Sequence, residues 1–147
     1  MFSIEYKITG AGWATVKISN NEKTVTMDVS YLYDSLKELT QSAIDIKTKQ
    51  MRKVLFMEEP GEFLLLLNRS DTNIIDYELR WYEDWNEWNL VDEDNFKLVL
   101  KGETTIAKYI NQVRNVLKGI LNELTPEEYK EKWINHEFPM EECKLLG

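Results

Sequence analysis

The sequence predicts a single α+β domain over residues 1–147: an antiparallel sheet of five or six strands, with two long helices packed on one face and a short C-terminal helix. Three observations predict it. Apolar residues alternate with period two through the first thirty residues and again between Val54 and Leu100. Helical three-and-four spacing runs from Leu32 to Ile46 and from Ile106 to Leu124. The strands come in runs, not one per helix, so the βαβ pattern of a parallel sheet is missing.

In the first segment Phe2, Ile4, Tyr6 and Ile8 face one way and Ser3, Glu5, Lys7 and Thr9 the other, a half-buried strand. Gly10-Ala11-Gly12 supplies a turn, because glycine tolerates positive φ. Ala14, Val16 and Ile18 make the second strand, Asn20-Asn21 the next turn, and Val25, Met27 and Val29 the third strand of a meander. Leu32, Leu36, Leu39, Ala43 and Ile46 then form one helical face, with Ser30 placed to cap it and Asp34 in the first turn, where the dipole favours an acid. Val54–Met57 is a strand that enters a Pro60-Gly61 turn of type II. Phe63–Leu67 is apolar on both faces, hence central in its sheet. Ile75, Tyr77, Leu79 and Trp81 alternate in a further strand, and Phe96, Leu98 and Leu100 in the last. Ile106, Ile110, Val113, Leu117, Ile120 and Leu124 line one face of a long helix. Thr125-Pro126-Glu127-Glu128 starts another helix, with Tyr129 and Trp133 one turn apart, and Pro139 starts or redirects a last short segment.

A composition that is 43% hydrophobic with only 6 Gly and 3 Pro excludes a disordered chain. The single cysteine, Cys143, allows no disulfide within the chain and fits a reducing compartment. Met1-Phe2-Ser3-Ile4-Glu5-Tyr6-Lys7 has neither the basic nor the apolar region of a signal peptide, and the longest apolar run, Phe63–Leu67, is far short of a span of about 20 residues. The expectation is a cytoplasmic protein. A net charge of −8 excludes nucleic acid and anionic membranes as natural partners and leaves a basic protein as the compatible one.

No cofactor or metal motif is present. His136 is the only histidine, which rules out two-His metal motifs, and it reads as a surface residue. Gly10-Ala11-Gly12 lacks the third glycine, the lysine and the following helix of a phosphate loop. Asp92, Asp94 and Glu103 take three positions of a calcium loop, but Phe96 and Lys97 stand where a ligand and the turn glycine belong.

The charge is unevenly placed. Between Ile75 and Asp94 there are eight acids (Asp76, Glu78, Glu83, Asp84, Glu87, Asp92, Glu93, Asp94) and one base, Arg80, a local −7. The rest of the chain has 18 acids and 17 bases, −1. Trp81, Trp85 and Trp88, three of the five tryptophans, lie in the same stretch at four-and-three spacing. One reading makes Trp81, with Trp85, core and the acids a solvated rim. A second makes the stretch an interface, with Trp85 and Trp88 as anchors and Glu83, Asp84, Glu87, Asp92 and Asp94 steering a basic partner. A third is a carbohydrate or small-ligand platform. A fourth is an enzyme pairing Glu83 with Glu87 or Asp84 as general acid and base, which a cleft holding one buried carboxyl of raised pKa would favour.

Three strings, Gly10-Ala11-Gly12-Trp13-Ala14, Ser30-Tyr31-Leu32-Tyr33-Asp34-Ser35-Leu36 and Glu59-Pro60-Gly61-Glu62, resemble a loosely defined set of bacterial proteins without an assigned activity. In size and α+β pattern these are similar to the small acidic immunity proteins of bacterial toxin systems. The resemblance carries no catalytic residue. It implies a bacterial cytosolic binding protein that neutralises a toxin. With the acidic stretch, it makes a non-catalytic, immunity-type inhibitor of a basic toxin or nuclease domain the leading expectation.

Overall fold

Alternation decides the first third of the chain. In the computed structural model, which describes residues 2–58, 61–83, 96–134 and 136–146, β1 (Ser3–Gly10), β2 (Trp13–Ser19) and β3 (Thr24–Ser30) form an antiparallel meander. Ile4 pairs with Ile18, Tyr6 with Val16 and Ile8 with Ala14, and all six side chains are buried. The register shifts after Ile8, and Gly10, Ala11 and Gly12 turn the chain with φ of 112°, 55° and 82°. At the next hairpin the Asn20 carboxamide oxygen accepts from the backbone N–H groups of Glu22 and Lys23, which closes an Asx turn.

Helix α1 runs Ser35–Asp45, three residues later than its first periodic leucine. Its cap is Asp34, whose Oδ1 accepts from Lys37 N at 3.3 Å, not Ser30. Ser30 ends β3, and its hydroxyl accepts from Leu32 N. Tyr31 N–H is committed to Gly12 O, so the chain stays in a turn until Asp34 and leaves Leu32 exposed.

Among the described residues seven strands fall into two sheets of three and four, which corrects the expected single sheet of five or six. The second, β4 (Met51–Met57), β5 (Glu62–Arg69), β6 (Ile74–Tyr82) and β7 (Lys97–Thr105), is antiparallel in sequence order. No ladder among the described residues joins the two sheets; α1 lies between β3 and β4 in the chain, and single side-chain bonds reach groups on the sheet edges. Glu58 Oε2 accepts from Asp28 N of β3, Asn20 Nδ2 donates to Lys101 O of β7, and Gln112 Oε1 accepts from Ile4 N of β1. At the β4–β5 hairpin Glu58 N donates to Gly61 O; Glu59 and Pro60 of the expected turn lie outside the described residues.

β5 is central, as its two apolar faces require. Phe63, Leu65 and Leu67 join the main core with Val54, Phe56, Ile75, Tyr77 and Leu79, while Leu64 turns to the other face with Leu55, Met57 and Tyr82. The expected Phe96, Leu98, Leu100 alternation breaks because a bulge in β7 pairs Leu79 with Leu100 but Arg80 with Leu98, which leaves Leu98 outside.

Helix α2 (Ile106–Glu123) buries Tyr109, Ile110, Val113, Val116, Leu117 and Ile120. The expected single short C-terminal helix is two, α3 (Pro126–Lys132) and α4 (Met140–Leu146), separated by a residue of positive φ, Ile134, and by Pro139. Thr125 and Glu128 form a reciprocal capping box on α3. Arg114 of α2 donates from Nε and a terminal nitrogen to Leu146 O, which holds α4 to the body.

Candidate functional site

The acidic, Trp-bearing stretch takes in most of β6, with Asp76, Glu78, Arg80 and Trp81, and the connection from β6 to β7. Trp81 and Lys97 are cross-strand partners, so the stretch leaves and re-enters the sheet at one end. Of the expected contact residues, Glu83 is described and is exposed just beyond β6; Asp84, Trp85, Glu87, Trp88, Asp92 and Asp94 lie outside the described residues. The Glu83 pairings with Glu87 or Asp84 therefore also lie outside them.

The root of the stretch is well packed. Trp81, expected in the core, is half-buried, with its ring centroid 4.7 Å from that of Phe63 and its edge over Gly61, where a Cβ would come within 2.1 Å of the indole. Tyr82 is fully buried on the opposite face, against Phe96 and the Leu55–Met57–Leu64 cluster. The one base of the stretch is occupied at this root: Arg80 Nε lies 3.2 Å from Glu78 Oε1, and its guanidinium sits 4.1 Å above the Phe96 ring.

Elsewhere the fold assembles polar residues that the sequence reading kept apart. His136 is half-buried, not the surface residue expected. Its Nε2 is 2.6 Å from Tyr31 O, and a carbonyl only accepts, so Nε2 carries the proton. Nδ1 then faces Asp34 Oδ2 at 3.7 Å. Burial raises the Asp34 carboxyl above the usual carboxylate range, opposed by His136 and by the cap bond from Lys37 N. The Trp133 indole N–H lies near enough to favour the Asp34 carboxylate, without a formed hydrogen bond. Next to this group Tyr6 OH and Ser35 Oγ share a 2.7 Å hydrogen bond, and burial pushes the Tyr6 and Tyr129 phenols well up. In sequence these residues are spread over 130 positions, and neither period nor spacing links Tyr6, Asp34 and His136.

Asp34 also lines an open groove of about 670 Å³ between α1 and β4, with Tyr33, Lys37, Glu38, Arg52 and Lys53. This is a raised carboxyl in a cleft, the feature that would favour an enzyme. Its oxygens are already used, one on the helix cap and one toward His136, and its neighbour Glu38 accepts from Tyr33 OH. Glu58, likewise raised by burial, accepts from Asp28 N. Both raised carboxyls thus hold backbone ends in place.

The remaining sequence features fall into structural roles. Gly12 N donates to Lys132 O and Gly12 O accepts from Tyr31 N, so the glycine turn spends its polar groups within the chain. Burial raises the Cys143 thiol, the opposite of what a nucleophile needs. Glu103 is an exposed residue of β7 opposite Asp76, and Asp92 and Asp94 lie outside the described residues. Among the described residues no group of three metal-ligating side chains occurs, and no helix is long and apolar enough to cross a membrane.

No family model matches the chain, and no curated protein matches it. Among solved structures it is similar to a chain of the CdiA-CT/CdiI toxin and immunity complex from Enterobacter cloacae, with a TM-score of 0.49 and 12% identity over 80% of this chain and 99% of that one.

Proposed function

We propose that the protein is a non-catalytic binding protein that engages a basic protein partner through the stretch from Asp76 to Asp94, as an immunity-type inhibitor of a toxin or nuclease domain. One observation carries this reading: the segment from Ile75 to Asp94 holds −7 of the net −8, six of its eight acids lie with Trp85 and Trp88 between β6 and β7 where the sequence has no base, and Arg80, on β6, is already paired with Glu78 and stacked on Phe96. Carboxylates at this density attract a basic surface over several ångströms and raise the encounter rate. Trp85 and Trp88 supply the contact area that carboxylates lack, while Glu83, Asp84, Glu87, Asp92 and Asp94 take the places of the phosphates a nuclease would bind. Inhibition is by occlusion, and needs neither cofactor nor metal.

The experiment is affinity capture from native lysate on the immobilised full chain, with mass spectrometry of what is retained, run beside the E83K/D84K/E87K variant. The proposal expects a basic protein held by the wild type, shed by salt, and lost in the variant. Retention of nothing basic, or equal retention by the variant, refutes it.

A further inference from the structure

The sheet edges of this chain are closed unevenly. β3 has Glu58 on Asp28 N, and β7 has Asn20 on Lys101 O. β1 has Gln112 on Ile4 N, but nothing comparable farther along. In a strand the N–H and C=O of one residue point to the same side and alternate from residue to residue. Because Ile4 N points away from β2 to α2, the backbone groups of Tyr6 and Ile8 also point to the open side. Among the described residues they have no hydrogen-bond partner there. Beside this free edge lies a groove of about 550 Å³, walled by Glu5–Thr9 of β1 on one side and by the end of α2 from Gly119 to its cap Leu124 on the other, and reaching Thr15 and Lys17 on the outer face of β2.

Gly119 is unexpected in the interior of α2. It costs a helix roughly 1 kcal/mol relative to alanine, and a Cβ there would meet nothing within 4 Å, so packing does not demand it. What its missing side chain does is keep the groove wide.

The strand itself shows what fits. Ser3-Ile4-Glu5-Tyr6-Lys7-Ile8-Thr9 is complementary to its own reverse. Antiparallel pairing with a second copy about Tyr6 sets Glu5 opposite Lys7, Ile4 opposite Ile8 and Ser3 opposite Thr9. Glu5 and Lys7 are both exposed. They would meet at the non-hydrogen-bonded positions, where opposed side chains are closest. The parity agrees as well, because Tyr6 presents both its N–H and its C=O outward, as the centre of a two-fold ladder must.

We propose that β1 is a self-association edge, at which two copies of the chain join their three-stranded sheets into one six-stranded sheet by antiparallel β1–β1 pairing centred on Tyr6. Two ladder hydrogen bonds form between the Tyr6 residues with Gln112 in place, and four more form between Ile4 and Ile8 of opposite copies once the partner strand displaces Gln112 from Ile4 N. The contact is isologous and closed, so it yields a dimer and not a fibre. It is independent of the acidic stretch.

Sedimentation velocity over a concentration series tests this on the full chain. The wild type sediments as a reversible dimer. K7E sets acid against acid at both symmetric positions and raises the dissociation constant about tenfold or more. E5K/K7E restores opposite charges across the two-fold and returns the constant toward wild type. G119W fills the groove and weakens association; circular dichroism keeps the native spectrum in all three, whose altered side chains are on the surface. A wild type that is monomeric at its highest soluble concentration overturns the proposal. So does a K7E variant that associates normally, or an E5K/K7E double variant as weak as K7E alone.

Discussion

Replacing Gly12 with alanine probes how the C-terminal third is tied to the meander. Gly12 has φ of +82° and gives both backbone groups away, N–H to Lys132 O at the end of α3 and C=O to Tyr31 N before α1. A Cβ there would stand 2.5 Å from Tyr31 Cδ1 and 2.9 Å from Ile134 Cδ1, closer than carbon atoms tolerate. Two costs add. A side chain in the left-handed region costs about 1–2 kcal/mol. Relieving the overlap, with the Tyr31 backbone pinned by its hydrogen bond, costs about 1–3 kcal/mol. Gly10 is the internal control, because its φ is +112° but a Cβ would meet nothing within 4 Å. G10A should therefore show the backbone cost alone, and G12A a further 1–3 kcal/mol or about 2–12 °C in melting temperature for a domain of this size. Urea unfolding of the three proteins, with tryptophan fluorescence as probe, gives both differences. Equal destabilisation by G10A and G12A would refute the packing argument.

Three further outcomes follow from buried polar contacts and caps. Ser42 Oγ donates to Leu39 O, so it accepts from Tyr109 OH; S42A strands a fully buried phenol and costs about 1–3 kcal/mol, whereas Y109F leaves Ser42 satisfied and costs less. T125A removes the α3 cap at a cost of about 1 kcal/mol. Because the Thr125 backbone N–H, and then its hydroxyl, hold the Glu128 carboxyl below its usual value, their contribution is present above the unfolded pKa and lost as pH falls through the folded one; the acid limb of a stability–pH curve should flatten in E128Q, which removes the titrating group. Asp34 is raised, chiefly by burial, so the opposite sign holds: its contribution is full below the unfolded pKa and lost as pH rises through the folded one. D34N keeps a good cap, and denaturation midpoints should show wild type losing ground to D34N as pH rises from about 4 toward neutrality; a flat or reversed difference contradicts the assignment.

Elements whose buried residues repeat at a fixed period were legible in the sequence. β1–β3, β6 and α2 sit where alternation and helical spacing place them, because each buries a continuous face, and β5 sits where its run apolar on both faces places it. The α3 start was legible too, since Thr125, Pro126 and Glu128 act locally. What was not legible depends on partners distant in sequence. The division into two sheets, with Glu58 on β3 and Asn20 on β7 bridging them, is a matter of long-range pairing that no local pattern announces. Leu98 turned outward through a bulge that the alternation of Phe96, Leu98 and Leu100 conceals. His136 and Asp34 meet only because the Gly12 turn fastens the end of α3 to Tyr31. For the acidic stretch, the sequence supplied the charge count, and the structure added that Arg80 is already engaged at its root.

The central claim, that this stretch binds a basic protein, is tested most directly by the association rate between the full chain and the basic protein it captures, measured by stopped-flow tryptophan fluorescence across a salt series. The account predicts a rate that falls at least about tenfold from low salt to 0.5 M, a similar loss for E83K/D84K/E87K at low salt, and faster dissociation for W85A and W88A. An association rate indifferent to salt and to those charge reversals would contradict it.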